Sequence, residues 1–144
     1  MTKEEKLKKN AGEYLPCLIN ECPHHKTCLH WLVGQYGDPN ASIIKCVNPY
    51  NPRFKSGDCC HYRENKTVTY AVGMMHLLDE IPYQQARSIK YRLIKLFART
   101  RFYEYRNGKR PIPPEHQQLI EKICREEGWM GDIHYDGWEE DYLW

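Results

Sequence analysis

Six cysteines between residues 17 and 60 constrain this chain more than any other feature of its sequence. Cys17, Cys22 and Cys28 come first, Cys46 follows, and Cys59 and Cys60 are adjacent. Zinc prefers four thiolate or imidazole ligands, and iron–sulfur clusters are held by four thiolates. The total of seven cysteines is odd and fits a complete disulfide framework poorly. The spacing therefore predicts a metal site, with zinc ahead of an iron–sulfur cluster. The alternative is a set of small buried thiols.

The spacing of the first cysteines also predicts local structure. Sulfur atoms that share one zinc ion lie at most roughly 4 Å apart, whereas six residues of helix span about 9 Å. If Cys22 and Cys28 are both ligands, residues 23–26 form a turn and a helix begins near Thr27. Apolar residues at helical spacing from Leu29 onward predict the same start. The fourth ligand stays open among Cys59, Cys60, His61 and His30.

The second half of the chain has the apolar periodicity of helices. Asn65 is a candidate cap for one helix that continues to Leu78, and Pro82 opens a second. A last helix starts at Pro113. The β-branched run of residues 42–47 is the one strand candidate.

These elements predict a mainly α fold with minor β structure. We expect a small metal-stapled N-terminal part of loop and helix, packed on a C-terminal part of three to four helices. Residues 1–12 are expected to be a flexible N-terminus and residues 13–64 a Cys-rich metal-binding segment. Residues 65–144 form the helical part, which ends in a docked acidic and aromatic tail. All of these are expected to form one compact unit.

Charge is distributed unevenly although the formal net charge is only +2. Residues 84–110 carry nine Lys or Arg against Glu104, a local charge of +8. Cations interleaved with aromatic rings can contact phosphates and stack bases. The residues expected to contact nucleic acid or another partner are Arg99, Arg101, Tyr103, Arg106, Lys109 and Arg110.

Residues 121–144 carry eight Asp or Glu against two cations, a local charge of −6. The same stretch holds five large rings, whose burial favours docking of the tail on the helices. We therefore expect the tail to pack within the molecule, with ion pairs along its edge that neutralise the basic segment.

Several protein classes are excluded or disfavoured by the sequence. No run of 18 apolar residues exists, and the charged N-terminus leads into no apolar stretch like that of a signal peptide. We expect a cytoplasmic protein that does not enter a membrane. No catalytic arrangement of residues is recognisable, so we do not expect an enzyme.

The whole chain resembles an uncharacterised bacterial family, a domain of unknown function seen mainly in gut anaerobes. The residues that carry the resemblance are Tyr14-Leu15-Pro16-Cys17, Cys22-Pro23, Cys28-Leu29, Val47-Asn48-Pro49, Ala71-Val72-Gly73 through Ile81-Pro82, Arg101-Phe102-Tyr103 and Arg106-Asn107-Gly108. The resemblance implies a cytosolic single-unit protein with a Cys-bearing N-terminal segment, and it implies no activity. Because Cys60 with His61-Tyr62 is closer to the family's single cysteine at this place, the resemblance favours Cys60 as the fourth ligand. Cys59 and His61 are the alternatives.

Three functions follow from these features. The first is a small protein with a structural zinc site at Cys17, Cys22, Cys28 and Cys60 that acts by binding a macromolecular partner. The second is a DNA-binding transcriptional regulator that uses residues 99–110. The third is an iron–sulfur or redox accessory protein.

Overall fold

The computed structural model describes residues 1–144 and contains six α-helices and two β-strands. Their bounds are α1 Lys3–Asn10, α2 Leu29–Gly34, α3 Pro52–Lys55, β1 Thr67–Val72, α4 Tyr83–Phe97, α5 Arg99–Arg106, α6 Pro114–Glu126 and β2 Gly137–Tyr142. A 3₁₀ turn, His25–Thr27, precedes α2, and β1 pairs with β2 in a two-stranded sheet. This content confirms the prediction of a mainly α chain with minor β structure.

The chain divides into two compact units, and each has its own apolar core. Unit 1 comprises Met1–Thr67 and Asp141–Trp144, and unit 2 comprises Val68–Glu140. The core of unit 1 is formed by Leu7, Leu29, Val33 and Tyr142.

Helix α1 lies in the segment that the sequence suggests is flexible. Thr2 accepts a hydrogen bond from the backbone N–H of Glu5, and the Glu5 carboxylate accepts one from the N–H of Thr2. This reciprocal cap satisfies two of the N–H groups that a helix start otherwise leaves unpaired. Leu7 is only 3% exposed and fixes the helix to the core of unit 1. The cap and this single buried residue explain why so polar a segment is helical.

Helices α4, α5 and α6 build the core of unit 2. Their buried residues are Ile89, Leu93 and Phe97 on α4, Phe102 and Tyr105 on α5, and Ile120, Ile123 and Cys124 on α6. Ala98 separates α4 from α5 with a φ of 67° and a ψ of 156°. That conformation cannot continue a helix, so the basic stretch forms two helices rather than one.

Two elements differ from the sequence prediction. Residues 67–72 form strand β1 instead of the first part of a helix. Their apolar spacing suits either element, and their β-branched and aromatic side chains favour the strand once β2 is present to pair with it. Residues 42–47 form no strand, and only Val47 of this run donates a backbone hydrogen bond, to Pro16. Ile43 is 88% exposed and Val47 is 4% exposed, so only the end of this segment is covered by the rest of unit 1.

None of the helices combines the length with the apolar composition that crossing a lipid bilayer requires.

Candidate metal centre

Four cysteines from three stretches of unit 1 line one small cavity, which we call the thiol cavity. They are Cys17, Cys22, Cys28 and Cys59, all free thiols. The cavity volume is about 20 Å³, which is room for one particle of the size of a water molecule. The remaining lining residues are Ile19, His24, His25, His30, Trp31, Val47, Phe54, Gly57, His61 and Tyr62. The cavity is thus rich in thiol sulfur and imidazole nitrogen atoms, and no carboxylate lines it.

Backbone hydrogen bonds place the first cysteine against α2. The N–H of Cys17 donates to the carbonyl oxygen of His30 at 2.9 Å. In the reverse direction, Nδ1 of His30 lies 2.6 Å from the carbonyl oxygen of Leu15 and donates to it. The N–H of Val47 donates to Pro16 at 3.0 Å. The segment that carries Cys17 is therefore held on two sides.

The second and third cysteines stand at the two ends of a turn. His25 N–H donates to the carbonyl oxygen of Cys22 at 3.2 Å, and the 3₁₀ turn His25–Thr27 follows. Cys28 then caps α2 with extended angles, φ −95° and ψ 127°. The turn predicted between Cys22 and Cys28 is present. Helix α2 begins at Leu29 rather than near Thr27 because the 3₁₀ turn occupies the residues before it.

A further set of hydrogen bonds fixes the chain that follows Cys59. Cys28 and Glu64 form an isolated antiparallel bridge. Leu29 N–H donates to the carbonyl oxygen of Arg63 at 2.6 Å. These bonds bring the 59–65 segment to the start of α2, so cysteines thirty-one positions apart in sequence reach the same cavity.

Two glycines permit the close approaches around the cavity. A Cβ on Gly34 would lie 2.4 Å from the carbonyl oxygen of Cys17. A Cβ on Gly57 would lie 2.8 Å from Cγ of Pro23, and Gly57 has a φ of +93° that favours glycine. Sequence reasoning missed both residues, because a glycine in a loop or at a helix end does not reveal which backbone it meets.

The electrostatics of the cavity disfavour several thiolates without a cation. Burial raises the pKa of the Cys17 thiol above its usual value. A hydrogen bond to the backbone at Ile19 lowers that pKa, and the neighbouring thiols of Cys28, Cys59 and Cys22 raise it again. Like charges in a partly buried site oppose one another, and a divalent cation reverses that balance.

The histidines of the cavity differ in what they can do. Burial lowers the pKa of His30, so its ring is neutral at pH 7, and its Nδ1 is already bonded to Leu15. A proton on Nδ1 leaves Nε2 with a lone pair, and Nε2 lies 3.4 Å from the hydroxyl of Tyr14. His61 donates its backbone N–H to the sulfur of Cys59 at 3.4 Å.

The fourth expected ligand, Cys60, does not line the cavity, and Cys59 takes its place. Cys60 is exposed. The two residues open a turn in which the N–H of Tyr62 donates to the carbonyl oxygen of Cys59 at 3.4 Å, and only the side chain of Cys59 lines the cavity. The family resemblance favours Cys60, and no other feature of the sequence distinguishes the two. Cys46 is partly buried outside the lining, and Cys124 lies in the core of unit 2.

The side chains do not form a ligand set as they stand. No group of three or more His, Cys, Asp or Glu residues has the geometry to hold a metal ion. The structure brings Cys17, Cys22, Cys28 and Cys59 to one cavity without arranging their sulfur atoms tetrahedrally.

The six residues expected to contact nucleic acid lie in unit 2, on α5 and in the turn that follows it. Arg110 forms an ion pair with Glu104 at 2.6 Å, and Arg106 lies 3.5 Å from the side-chain oxygen of Asn107. Arg101 and Lys109 are exposed and lie in no ion pair. The structure therefore leaves only part of this segment free for a partner.

Tyr103 and Arg99 belong to a different arrangement. Nζ of Lys90 and Cζ of Arg99 each lie 5.9 Å from the centroid of the Tyr103 ring. Lys90 lies on α4, so the free cations extend onto a helix outside the 99–110 segment.

The tail packs within the molecule but does not cover the basic residues. Trp129 and Tyr135 pack against the core of unit 2. Among the cations of residues 84–110, Arg92 pairs with Glu126 at 2.5 Å and with Glu127 at 3.1 Å. Both carboxylates belong to the acidic stretch of residues 121–144 and lie at the end of α6. The acidic stretch thus neutralises Arg92, and the other cations of residues 84–110 have no carboxylate partner in it.

Comparisons with known proteins give one match. The model of a family of unknown function (DUF6078) matches residues 1–144. No curated protein and no solved structure matches the chain.

Proposed function

The chain belongs to the DUF6078 family of unknown function, and we propose its role from the geometry of its thiol cavity. Cys17, Cys22, Cys28 and Cys59 bind one zinc ion that staples unit 1 and holds a loop ready for a macromolecular partner. The observation that carries this proposal is the meeting of four free thiols from three chain segments at one cavity of about 20 Å³. The sequence expectation of an uncharacterised family is confirmed, and the fourth ligand changes from Cys60 to Cys59.

Backbone restraint supports the proposal. The segments that carry Cys17, Cys28 and Cys59 are each tied by hydrogen bonds to α2 or to its first residue. A preformed backbone lowers the entropic cost of gathering the ligands.

The side chains need to turn toward the centre of the cavity. Rotation about the Cα–Cβ bond moves a cysteine sulfur between three staggered positions without moving the backbone. Tetrahedral thiolate ligands lie roughly 4 Å apart, a separation close to van der Waals contact between thiols. The proposal therefore requires that changes of rotamer turn the thiols lining the cavity into a coordination sphere.

The chemistry of the cavity favours zinc over an iron–sulfur cluster. The rings of His24, His25, His30 and His61 line it beside the thiols, and zinc accepts both thiolate and imidazole ligands, whereas the common clusters are held by thiolates alone. Four protein ligands leave no open coordination position, so the ion is structural rather than catalytic.

The stapled loop is the part that meets a partner. A zinc ion shared by Cys28 and Cys59 closes the chain between them, and this stretch carries exposed apolar residues. Ile43 is 88% exposed and Tyr50 is 85% exposed. Exposed apolar side chains on a restrained loop are typical of protein-binding surfaces.

Two serine variants of the adjacent cysteines test the assignment. We expect the full chain, purified under reducing conditions, to contain about one zinc ion per molecule by elemental analysis. Cys60→Ser keeps the metal, because this side chain is outside the cavity. Cys59→Ser loses it, because a serine hydroxyl is a poor zinc ligand, and the 43–50 loop becomes sensitive to protease.

Three results would contradict the proposal. Wild-type protein free of metal would exclude the site. Zinc retained by Cys59→Ser but lost by Cys60→Ser would exclude the ligand set. Iron and sulfide in equal amounts, in brown protein purified without oxygen, would replace zinc with a cluster.

A further inference from the structure

We infer that unit 2 carries a binding surface for single-stranded nucleic acid, formed by Arg87, Lys90, Tyr91, Lys95, Arg99 and Tyr103. We call these residues the cationic face. The inference rests on unit 2 alone and is independent of the zinc site in unit 1.

The four cations of the cationic face have no carboxylate partner. Arg87, Lys90, Lys95 and Arg99 are exposed and lie in no ion pair. Residues 81–103 contain no Asp or Glu, and the next carboxylate, Glu104, is already paired with Arg110. Four unpaired positive charges on one short stretch favour a polyanionic partner by charge complementarity.

The spacing along α4 suits a linear partner. Arg87, Tyr91 and Lys95 recur every four residues, so they lie on one side of the helix about 6 Å apart along its axis. The span from Arg87 to Lys95 is about 12 Å, the rise of roughly three to four stacked nucleotides. Lys90 lies three residues after Arg87 and continues the surface toward Tyr103 and Arg99.

Two tyrosines give the cationic face aromatic rings in addition to its positive charge. Tyr91 is 68% exposed and stands between Arg87 and Lys95 on the helix. Tyr103 is half-buried, and the cations of Lys90 and Arg99 approach its ring at 5.9 Å. A planar ring flanked by cations provides a stacking platform for a base and contacts for the phosphates on either side.

The exposed ring favours a single strand over other polyanions. In a duplex the faces of the bases are covered by their neighbours, whereas an unpaired strand offers them for stacking. An acidic protein segment has the charge but no base faces to stack on Tyr91. Phosphate contact and stacking read no base edges, so we expect binding that tolerates any sequence.

Fluorescence anisotropy with a labelled single strand of about fifteen nucleotides and mixed sequence tests the inference. We expect binding by the full chain, weakening from about 50 to 200 mM salt with a logarithmic slope near −3 for four phosphates. The double variant Arg87→Gln/Lys95→Gln reduces that slope by about 1.4, since two phosphate contacts are lost.

The tyrosine variants separate stacking from charge. Tyr91→Ala weakens binding about fivefold or more and leaves the salt slope unchanged, whereas Tyr91→Phe keeps the affinity. Lys122→Gln is the matched control, because Lys122 is an exposed lysine of α6 outside the cationic face. All substituted side chains except that of the control are free of ion pairs, and far-UV circular dichroism of each variant confirms the fold.

Three outcomes would overturn the inference. The first is no binding at about 50 mM salt. The second is duplex bound as tightly as the single strand. The third is competition by polyglutamate at equal charge together with an unaffected Tyr91→Ala variant, which would assign the surface to an acidic protein instead.

Discussion

Substitution of Gly34 by alanine tests how tightly the cysteine segment is held against α2. Gly34 is the last residue of α2, and an alanine Cβ there would lie 2.4 Å from the carbonyl oxygen of Cys17 and 3.2 Å from Cδ2 of Leu18. The nearest obstacle is backbone, which cannot swing aside as a side chain does. The Cys17 segment must move by about 1 Å to restore ordinary contact.

The magnitude follows from two opposing effects. Overpacking of this kind costs about 1–3 kcal/mol. Replacement of a helical glycine by alanine otherwise contributes about 0.5–1 kcal/mol of stability. The overpacking cost is larger, so we expect Gly34→Ala to lower the free energy of unfolding by about 0.5–2 kcal/mol. It should also lower the zinc content, because Cys17 is one of the four proposed ligands.

Urea unfolding followed by circular dichroism, together with elemental analysis, measures both effects. Gly37→Ala is the matched control, since the nearest atom to its new Cβ is 3.8 Å away. The control should be as stable as wild type and should keep its zinc. A Gly34→Ala variant with unchanged stability and full zinc would refute the close approach of Cys17 to α2.

Three further predictions concern unit 2 and are checked by urea unfolding. Ala98 has a φ of 67° and a ψ of 156°, a region that costs a residue with a Cβ about 1–3 kcal/mol, so Ala98→Gly should stabilise the protein by about 1 kcal/mol. An unchanged midpoint would contradict this. Burial lowers the pKa of His116 below its usual value of 6.5, and its Nδ1 lies 2.7 Å from the hydroxyl oxygen of Tyr105. Below about pH 6.5 the imidazole of His116 takes up a proton in the unfolded chain but not in the folded chain. The contribution of the neutral ring to the free energy of unfolding is therefore present above about pH 6.5 and is lost as the pH falls. His116→Gln should reduce the loss of unfolding free energy between about pH 7.5 and pH 5.5. A loss as large as that of the wild type would refute the assignment of this pH dependence to His116. Arg125 donates to the carbonyl oxygens of Trp129 and Gly131 at 2.9 and 2.6 Å, and Arg125→Ala should cost about 1–3 kcal/mol. A neutral effect would show that the rings alone hold the tail.

The helices of unit 2 could be predicted from the sequence because their signals agree. Pro82 precedes α4, and Ile89, Leu93 and Phe97 follow at helical spacing and are buried. Pro114 likewise opens α6. Where the signal for a helix start agrees with the apolar periodicity, tertiary contacts rarely change the type of element that forms.

Strand β1 could not be predicted because its partner lies far away in the chain. Val68, Ala71 and Val72 satisfy a helical stripe, and the decision for a strand depends on pairing with β2 more than sixty residues later. The 42–47 run shows the converse. Its β-branched residues suit a strand, yet no second strand is present beside them, so the local preference alone does not build one.

The candidate metal centre was predictable in part. The turn between Cys22 and Cys28 follows from ligand spacing, and the structure contains it. The choice between Cys59 and Cys60 depends on which way one side chain points, and only the structure supplies that direction. The need for glycine at position 57 could not be predicted either, since the residue that its backbone approaches, Pro23, is distant in the sequence.

X-ray absorption at the zinc edge tests the central claim most directly, because it counts the atoms bound to the metal and measures their distances. The full zinc-containing chain should show four sulfur atoms at about 2.3 Å and no nitrogen or oxygen neighbour. The Cys60→Ser variant should give the same spectrum. A nitrogen or oxygen atom near 2.0–2.1 Å, or fewer than four sulfurs, would contradict a site formed by Cys17, Cys22, Cys28 and Cys59.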